Sequence, residues 1–365
     1  MGLMTRVSLR SLRLTARISL AVSSAALLFA SPAFSRVLPP AAAGAPADGL
    51  RLEGFAYPFP VQILKLTSQQ QELEMAFMEL KPPATTPETG VVLLLHGKNF
   101  SGAYWEQTAI ALRGIGYRVI IPDQIGFGKS SKPTGYQFTF HQLATHTLEL
   151  LRSRGVTRAH VVGHSMGGML ATRFALMFPD FTRSLTLVNP IGLEDWSAKG
   201  VPYRTPDALF QDELQQNAEK IRAYQQNNYY SGKWRPDYDR WVEMLVTFTR
   251  SPEHARVAWV QALISEMIYT QPVVYEFNQL KMPTLLIIGQ RDRTAPGREL
   301  APEAMRKALG NYSELGSKTT ATIPNAKLVP LDDVGHLPHI EAFSRFITPL
   351  KAFLAGAPDD VVPAP

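Results

Sequence analysis

The stretch VVGHSMGGML, residues 161–170, decides how the rest of this chain is read. Upstream, AHVV (159–162) is an apolar strand pattern; downstream, MLATRFALMF repeats its apolar positions at helical spacing. A strand that turns sharply into a helix holds the residue at the turn in a strained backbone conformation. Side chains two positions to either side would collide with the crossing backbone, and Gly163 and Gly167 remove that clash. The turn aims the hydroxyl of Ser165 outward at the carboxyl end of the strand, beside a helix N-terminus. Free amides and the helix dipole there stabilise developing negative charge. Ser165 is therefore read as a nucleophile rather than as one polar residue of an ordinary Gly-rich turn.

Outward from this turn, strand and helix patterns alternate. Strands are expected at VQILKLT (61–67), LEMAFMEL (73–80), VVLLLH (91–96), YRVIIPD (117–123), AHVVGHS (159–165), SLTLVNP (184–190), PTLLIIG (283–289) and AKLVPLD (326–332). Helices are expected at Tyr104–Arg113, Phe140–Arg154, Met166–Phe178, Pro302–Leu309 and Ile340–Leu354. Near-continuous Val/Ile/Leu runs argue for an open, mostly parallel α/β sheet buried on both faces, its first two strands an antiparallel edge hairpin.

Between Ile191 and Phe277 the rhythm stops. This segment shows helical stretches only, at 207–226, 237–248 and 252–267, among scattered aromatics. An insertion after a strand end sits above the sheet edge where ligands bind. It is read as a helical lid over 191–277, with Trp196 and Tyr229 as candidate substrate contacts and most other aromatics packing lid onto body. The core then comprises 57–190 and 278–355, with a Pro/Ala/Gly-rich linker at 36–56 and a similar tail at 356–365.

A serine needs a base, and the base an orienting acid. GQRDRTAP places Asp292 in the loop after one strand, and GHLPHIE places His336 before the final helix. The order Ser165, Asp292, His336 matches that of serine enzymes built on this architecture. Glu194 and Asp195 are the rivals of Asp292; Asp332 and Asp333 precede His336 too closely to orient it. His339 follows Pro338, has no HExxH partner, and is read as packing at the helix start. Strand alternation points His164 away from the hydroxyl. His96, His141, His146, His160 and His254 lack partners that would make them more than structural or solvated. The oxyanion donors are expected to be the backbone amides of Met166, next to the nucleophile, and Lys98, after the small Gly97. Side chains of Lys98, Asn99 and Phe100 are expected at the pocket.

The 365-residue chain has no cysteine, which excludes disulfides, thiolate metal sites and lipidated cysteines. Arg6, Arg10, Arg13 and Arg17 precede ISLAVSSAALLFA, and Ala33-Phe34-Ser35 offers small residues where a signal peptidase inspects. A signal peptide over residues 1–35 is expected, cleaved after Ser35; its apolar run is shorter than the ~20 residues that span a bilayer. The expected location is the periplasm or the exterior, with no stable membrane insertion once the leader is removed. Without the leader the formal charge of +6 falls to 33 basic against 31 acidic residues. No basic stripe interleaved with aromatics is present, so a nucleic-acid partner is not expected. Neither a metal nor an organic cofactor is called for by the chemistry proposed.

These motifs together resemble the α/β-hydrolase superfamily, in its cap-bearing serine subgroup, over roughly Tyr57 to Leu354. The matching pieces, in order, are His96-Gly97, DQIGFGKS (123–130), GHSMGG (163–168), GQRDRTAP (289–296) and GHLPHIE (335–341). The resemblance implies an eight-stranded, mostly parallel sheet with helices on both faces and a helical cap inserted after strand six. It implies a small-molecule substrate, an ester first and an amide or lactone second. In that family DQIGFGKS is mostly structural. Relatives that open epoxides or displace halides carry aspartate where this chain has Ser165. Ring-cleavage-product hydrolases and proline iminopeptidases carry more glycines and a proline after His-Gly, where this chain has Lys98-Asn99-Phe100. Cofactor-free haloperoxidase or perhydrolase chemistry is a side reaction open to such a serine. A non-catalytic binding relative is the alternative of another class, but such relatives commonly lose a residue of the triad, and all three stand here.

Overall fold

Strands β3 (Gly90–Leu95), β5 (Ala159–His164), β6 (Thr182–Val188) and β7 (Thr284–Gly289) are almost wholly buried. Their side chains divide between two cores at the period of two that a pleated strand imposes. Leu93, Leu95, Val161, Leu187 and Ile288 enter one core; Val92, Leu94, Val162, Val188 and Ile287 enter the other. Helices α2 (Phe140–Ser153) and α3 (Met166–Met177) close the first with Leu143, Leu170 and Phe174. Helices α1 (Glu106–Arg113) and α11 (Phe343–Gly356) close the second with Leu112, Phe346 and Leu350. The computed structural model describes residues 49–357. The expected signal peptide, residues 36–48 of the expected linker and residues 358–365 of the expected tail lie outside them.

With β1 (Val61–Ser68), β2 (Gln71–Leu80), β4 (Tyr117–Pro122) and β8 (Ala326–Leu331), the sheet has eight strands in the order β1-β2-β4-β3-β5-β6-β7-β8. β1 and β2, and β2 and β4, pair antiparallel; every later pair is parallel. The chain runs outward from β3 to β4 and then crosses back to β5 on β3's other side. That reversal opens a crevice beyond the carboxyl ends of β3 and β5, where α/β sheets bind ligands. Register brings those ends level: Leu95 lies opposite Gly163, His164 opposite Val188, and Gly289 opposite Leu331.

The residues between β6 and β7 contain, among those described, no strand. They form α4 (Pro206–Leu214), α5 (Ala218–Tyr224), a wide π turn (Gln225–Tyr229), α6 (Asp239–Arg250) and α7 (His254–Thr270). The single helix expected over 207–226 is in fact broken, because Asn217 turns to an extended backbone and caps α5 by accepting the Lys220 amide. The helix expected over 302–309 shrinks to α8 (Glu303–Arg306), and α9 (Tyr312–Thr322) follows where none was expected. The final helix is preceded by a separate turn, α10 (Pro338–Glu341). Residues 49–56, expected to belong to a flexible linker, pack on the body instead: Leu52 is buried and Phe55 meets Trp241.

Candidate active site

The turn between β5 and α3 is as crowded as its glycines imply. A Cβ on Gly163 would stand 2.1 Å from the Gly167 carbonyl oxygen, and one on Gly167 would stand 2.4 Å from that of Leu95. Ser165 takes φ 57° and ψ −124°, a strained combination for a residue with a side chain. Its backbone is held on both sides: its amide donates to Val188 O at 3.2 Å, and its carbonyl accepts Gly168 N at 2.9 Å and Ile191 N at 3.2 Å.

Beyond β7, Asp292 is fully buried, and three donors are directed at its carboxylate. Oδ1 accepts the Thr294 amide at 2.8 Å; Oδ2 accepts Asn189 Nδ2 at 2.8 Å and His336 Nδ1 at 2.6 Å. Nδ1 of His336 therefore carries a proton directed at Asp292, and Nε2 is the ring nitrogen left for another partner. That Nε2 is buried and has no hydrogen-bond partner. The loop around the imidazole is fastened by its own backbone. The His336 amide donates to Tyr229 O at 2.8 Å, and its carbonyl lies 2.8 Å from His164 Nε2. Glu341 takes the flanking amides of Gly335 and Leu337, each at 3.1 Å.

His164 turns away from the serine into a buried neutral network. Burial holds its imidazole well below the usual histidine range and pushes Tyr104 above the usual phenol range. Gly97 N donates to Tyr104 Oη at 2.9 Å, and Tyr104 donates to His164 Nδ1 at 2.9 Å. The loop after β3 is thereby drawn against the serine: a Cβ on Gly97 would fall 2.9 Å from Ser165 Cβ. His339 packs on Trp105 at a ring separation of 4.4 Å. Glu194 bonds Lys199 and the Gly310 amide, and Asp195 bonds Ala198 N and Tyr275, so both rivals of Asp292 are engaged elsewhere.

Ser165 borders a cavity of about 520 Å³ between this sheet edge and the helical insertion. Lys98, Asn99, Phe100 and Tyr229 line it as well. Lys98 Nζ pairs with Glu213 of α4 at 2.8 Å, and Asn99 Nδ2 donates to Tyr229 Oη at 2.8 Å. Phe100 stacks on Tyr104 at 4.8 Å. Its lining also includes the apolar Ile221, Met244, Phe248 and Ile268, beside polar and charged residues such as Gln225 and Gln261. Trp196 corrects an expectation: it does not line the cavity but is buried in the core behind Ile191 and Val201, which do. Sequence reasoning also passed over Asn189, Tyr104 and Glu341. Asn189 alone left a signal, as an asparagine just past an apolar strand run, a residue type that tolerates the left-handed backbone it takes here (φ 36°). Among the described residues, no group of three or more His, Asp and Glu side chains could hold a metal ion.

A family model described as the alpha/beta hydrolase fold matches residues 90–343. Lipase 1 of Psychrobacter immobilis is 30% identical over 269 residues, 72% of this chain and 76% of that protein. Lipase 3 of Moraxella sp. strain TA144 is 30% identical over 272 residues, 73% of this chain and 77% of that one. The crystal structure of a probable hydrolytic enzyme from Pseudomonas aeruginosa PAO1 is 52% identical, with a TM-score of 0.83, covering 85% of this chain and 99% of its own.

Proposed function

This chain belongs to the α/β-hydrolase fold family and is a hydrolase, and from that premise we propose that it cleaves carboxylic esters through Ser165, His336 and Asp292. The observation that carries this reading is the pairing of His336 Nδ1 with the buried Asp292 carboxylate at 2.6 Å, which leaves Nε2, hydrogen-bonded neither to Ser165 nor to any other described atom, as the ring nitrogen open to a proton. Buried polar atoms are rarely left unpaired, because each costs ~1–3 kcal/mol.

In the proposed reaction Nε2 takes the Ser165 proton as Oγ attacks the ester carbonyl carbon. The amides of Met166 and Lys98 receive the oxyanion; the first amides of a helix have no partner within it. Collapse breaks the bond to the alcohol, which leaves with the proton from Nε2. Water then attacks the acyl-enzyme with His336 again as base; the second collapse breaks the acyl–Oγ bond, returns the proton from Nε2 to Ser165 and frees the carboxylic acid, with Asp292 stabilising the imidazolium each time. The two relatives named as lipases support an ester, and the apolar side chains in the cavity lining, Ile221, Met244, Phe248 and Ile268 among them, support an apolar acyl or alcohol group. The insertion over 191–277 acts as the cap. Export through the leader at 1–35 is part of this proposal; N-terminal sequencing of the exported protein, expected to begin at Arg36, checks it. Among the described residues no helix is long and apolar enough to cross a membrane.

The test is covalent labelling by a fluorophosphonate, followed by a chain-length series of p-nitrophenyl esters with amide and lactone controls. The adduct is expected on Ser165, absent from Ser165→Ala, with esters turned over fastest. A wild-type protein that fails to label, or a Ser165→Ala protein that labels equally, removes the serine mechanism.

A further inference from the structure

The π turn Gln225–Tyr229 belongs to the helical insertion, yet it grips the machinery proposed above. The Tyr229 carbonyl accepts the His336 amide at 2.8 Å. Its ring lies nearly parallel to the imidazole, with centroids 4.7 Å apart and planes at 22°. Its hydroxyl takes Asn99 Nδ2 at 2.8 Å, one residue past the Lys98 amide. The approach is built in from both sides. A Cβ on Gly335 would stand 2.2 Å from Tyr229 O, and Tyr224 braces the phenol edge-on at 5.3 Å. A second bridge, Gly97–Tyr104–His164–His336, joins the same two loops from within the body. His336 is thus held at its carbonyl by the body and at its amide and ring face by the insertion.

We propose that Tyr229 is a positioning residue: seated on His336 and Asn99, it sets the imidazole and the oxyanion loop in working register, so the site is competent only with this turn of the insertion docked. The proposal rests on the reading of Ser165, His336 and Asp292 as a hydrolytic triad. Asp292 restrains the imidazole at one nitrogen, and the stacked phenol stops the swing that a single hydrogen bond still permits. A displacement of about 1 Å at a reacting centre costs on the order of 10²-fold in rate. A residue that only forms a wall for the acyl group acts differently, since it matters for long substrates and not for an acetyl ester.

The experiment compares wild type, Tyr229→Ala, Tyr229→Phe and Asn99→Ala for p-nitrophenyl acetate turnover, fluorophosphonate labelling rate and melting temperature. Tyr229→Ala is expected to lower kcat and the labelling rate together by about 10²-fold, with KM for the acetate within about 3-fold. Tyr229→Phe keeps the stacked ring but gives up the bond to Asn99, and it and Asn99→Ala are each expected to lower kcat by about 3- to 5-fold. Because Tyr229→Phe and Asn99→Ala remove the same hydrogen bond, the double variant is expected to lose no more than about 5-fold either. If Tyr229→Ala does not fold, that cycle decides alone, and additive losses or none overturn the proposal. Wild-type labelling rates in Tyr229→Ala, with damage confined to KM for long esters, overturn it too. A wild-type protein that does not label at all removes the triad reading instead, which keeps the two failures apart.

Discussion

Asp292 Oδ2 and His336 Nδ1 stand 2.6 Å apart in a pair with neither side chain exposed to solvent. Asn189 and Thr294 each hold one oxygen of the carboxylate, which fixes its orientation, and its acceptor atom faces Nδ1 of the imidazole. Asp292→Asn puts an amide where the ring needs an acceptor, and the proton moves to Nε2. A kcat loss on the order of 10⁴-fold is expected, with the fold retained by circular dichroism. Asp195→Asn is the control: Asp195 serves Ala198 N and Tyr275, and its loss is expected to change kcat by less than about 2-fold. The reverse pattern would assign the acid to the wrong carboxylate.

Strain at Ser165 should be recoverable as stability. At φ 57° and ψ −124°, Ser165 occupies backbone space suited to glycine. Such a residue stores ~1–3 kcal/mol, against ~0.5–1 kcal/mol of chain entropy that glycine adds to the unfolded state. Ser165→Gly is expected to stabilise the protein by about 1 kcal/mol, roughly 2 °C in Tm, while abolishing fluorophosphonate labelling. A lower Tm would place no strain at this turn.

Backbone and side chain of the loop after β3 make opposite predictions. A Cβ on Gly97 would lie 2.9 Å from Ser165 Cβ and 3.2 Å from His164 Nδ1, so Gly97→Ala must move the nucleophile or the loop. A fall in kcat of at least about 10²-fold is expected. Lys98→Met keeps the amide and gives up only a half-buried ion pair with Glu213. Its kcat on p-nitrophenyl acetate should stay within about 10-fold of wild type. If Lys98→Met is as damaging as Gly97→Ala, the ammonium, not the amide, serves the reaction.

Burial pushes the Glu341 carboxyl up from 4.5 to about 7, against the lowering effect of the Gly335 and Leu337 amides. The sign follows from proton linkage. Between pH 4.5 and 7 the folded state holds the proton that the unfolded state has released, so this group's contribution is complete below pH 4.5 and is lost as pH rises through 7. The loss is about 3 kcal/mol. Glu341→Gln carries no such term. Its Tm relative to wild type is expected to be several degrees more favourable at pH 8 than at pH 5, and an unchanged difference would contradict a protonated, buried Glu341.

The helix α9 shows how a true pattern can be hidden. Its buried positions are Tyr312, Leu315, Gly316 and Thr319, at the spacing of a helical face. Two of the four are glycine and threonine, so apolar periodicity does not register. The break before α5 was missed for a different reason. Gln215, Gln216 and Asn217 are each compatible with a polar helix surface, and Asn217 becomes a cap only because the chain turns there.

The sequence by itself determined the sheet, the place of the insertion and the turn that carries Ser165. Those depend on interactions within a strand, a turn or one helical face, and their signals lie within a few residues of one another. Only the tertiary structure decided who holds whom. Asn189 meets Asp292 across 103 positions, and Asn99 meets Tyr229 across 130, while Trp196, an equally plausible aromatic, sinks into the core. A buried polar side chain must find a partner wherever the packed chain presents one, and no local pattern records which distant residue that is.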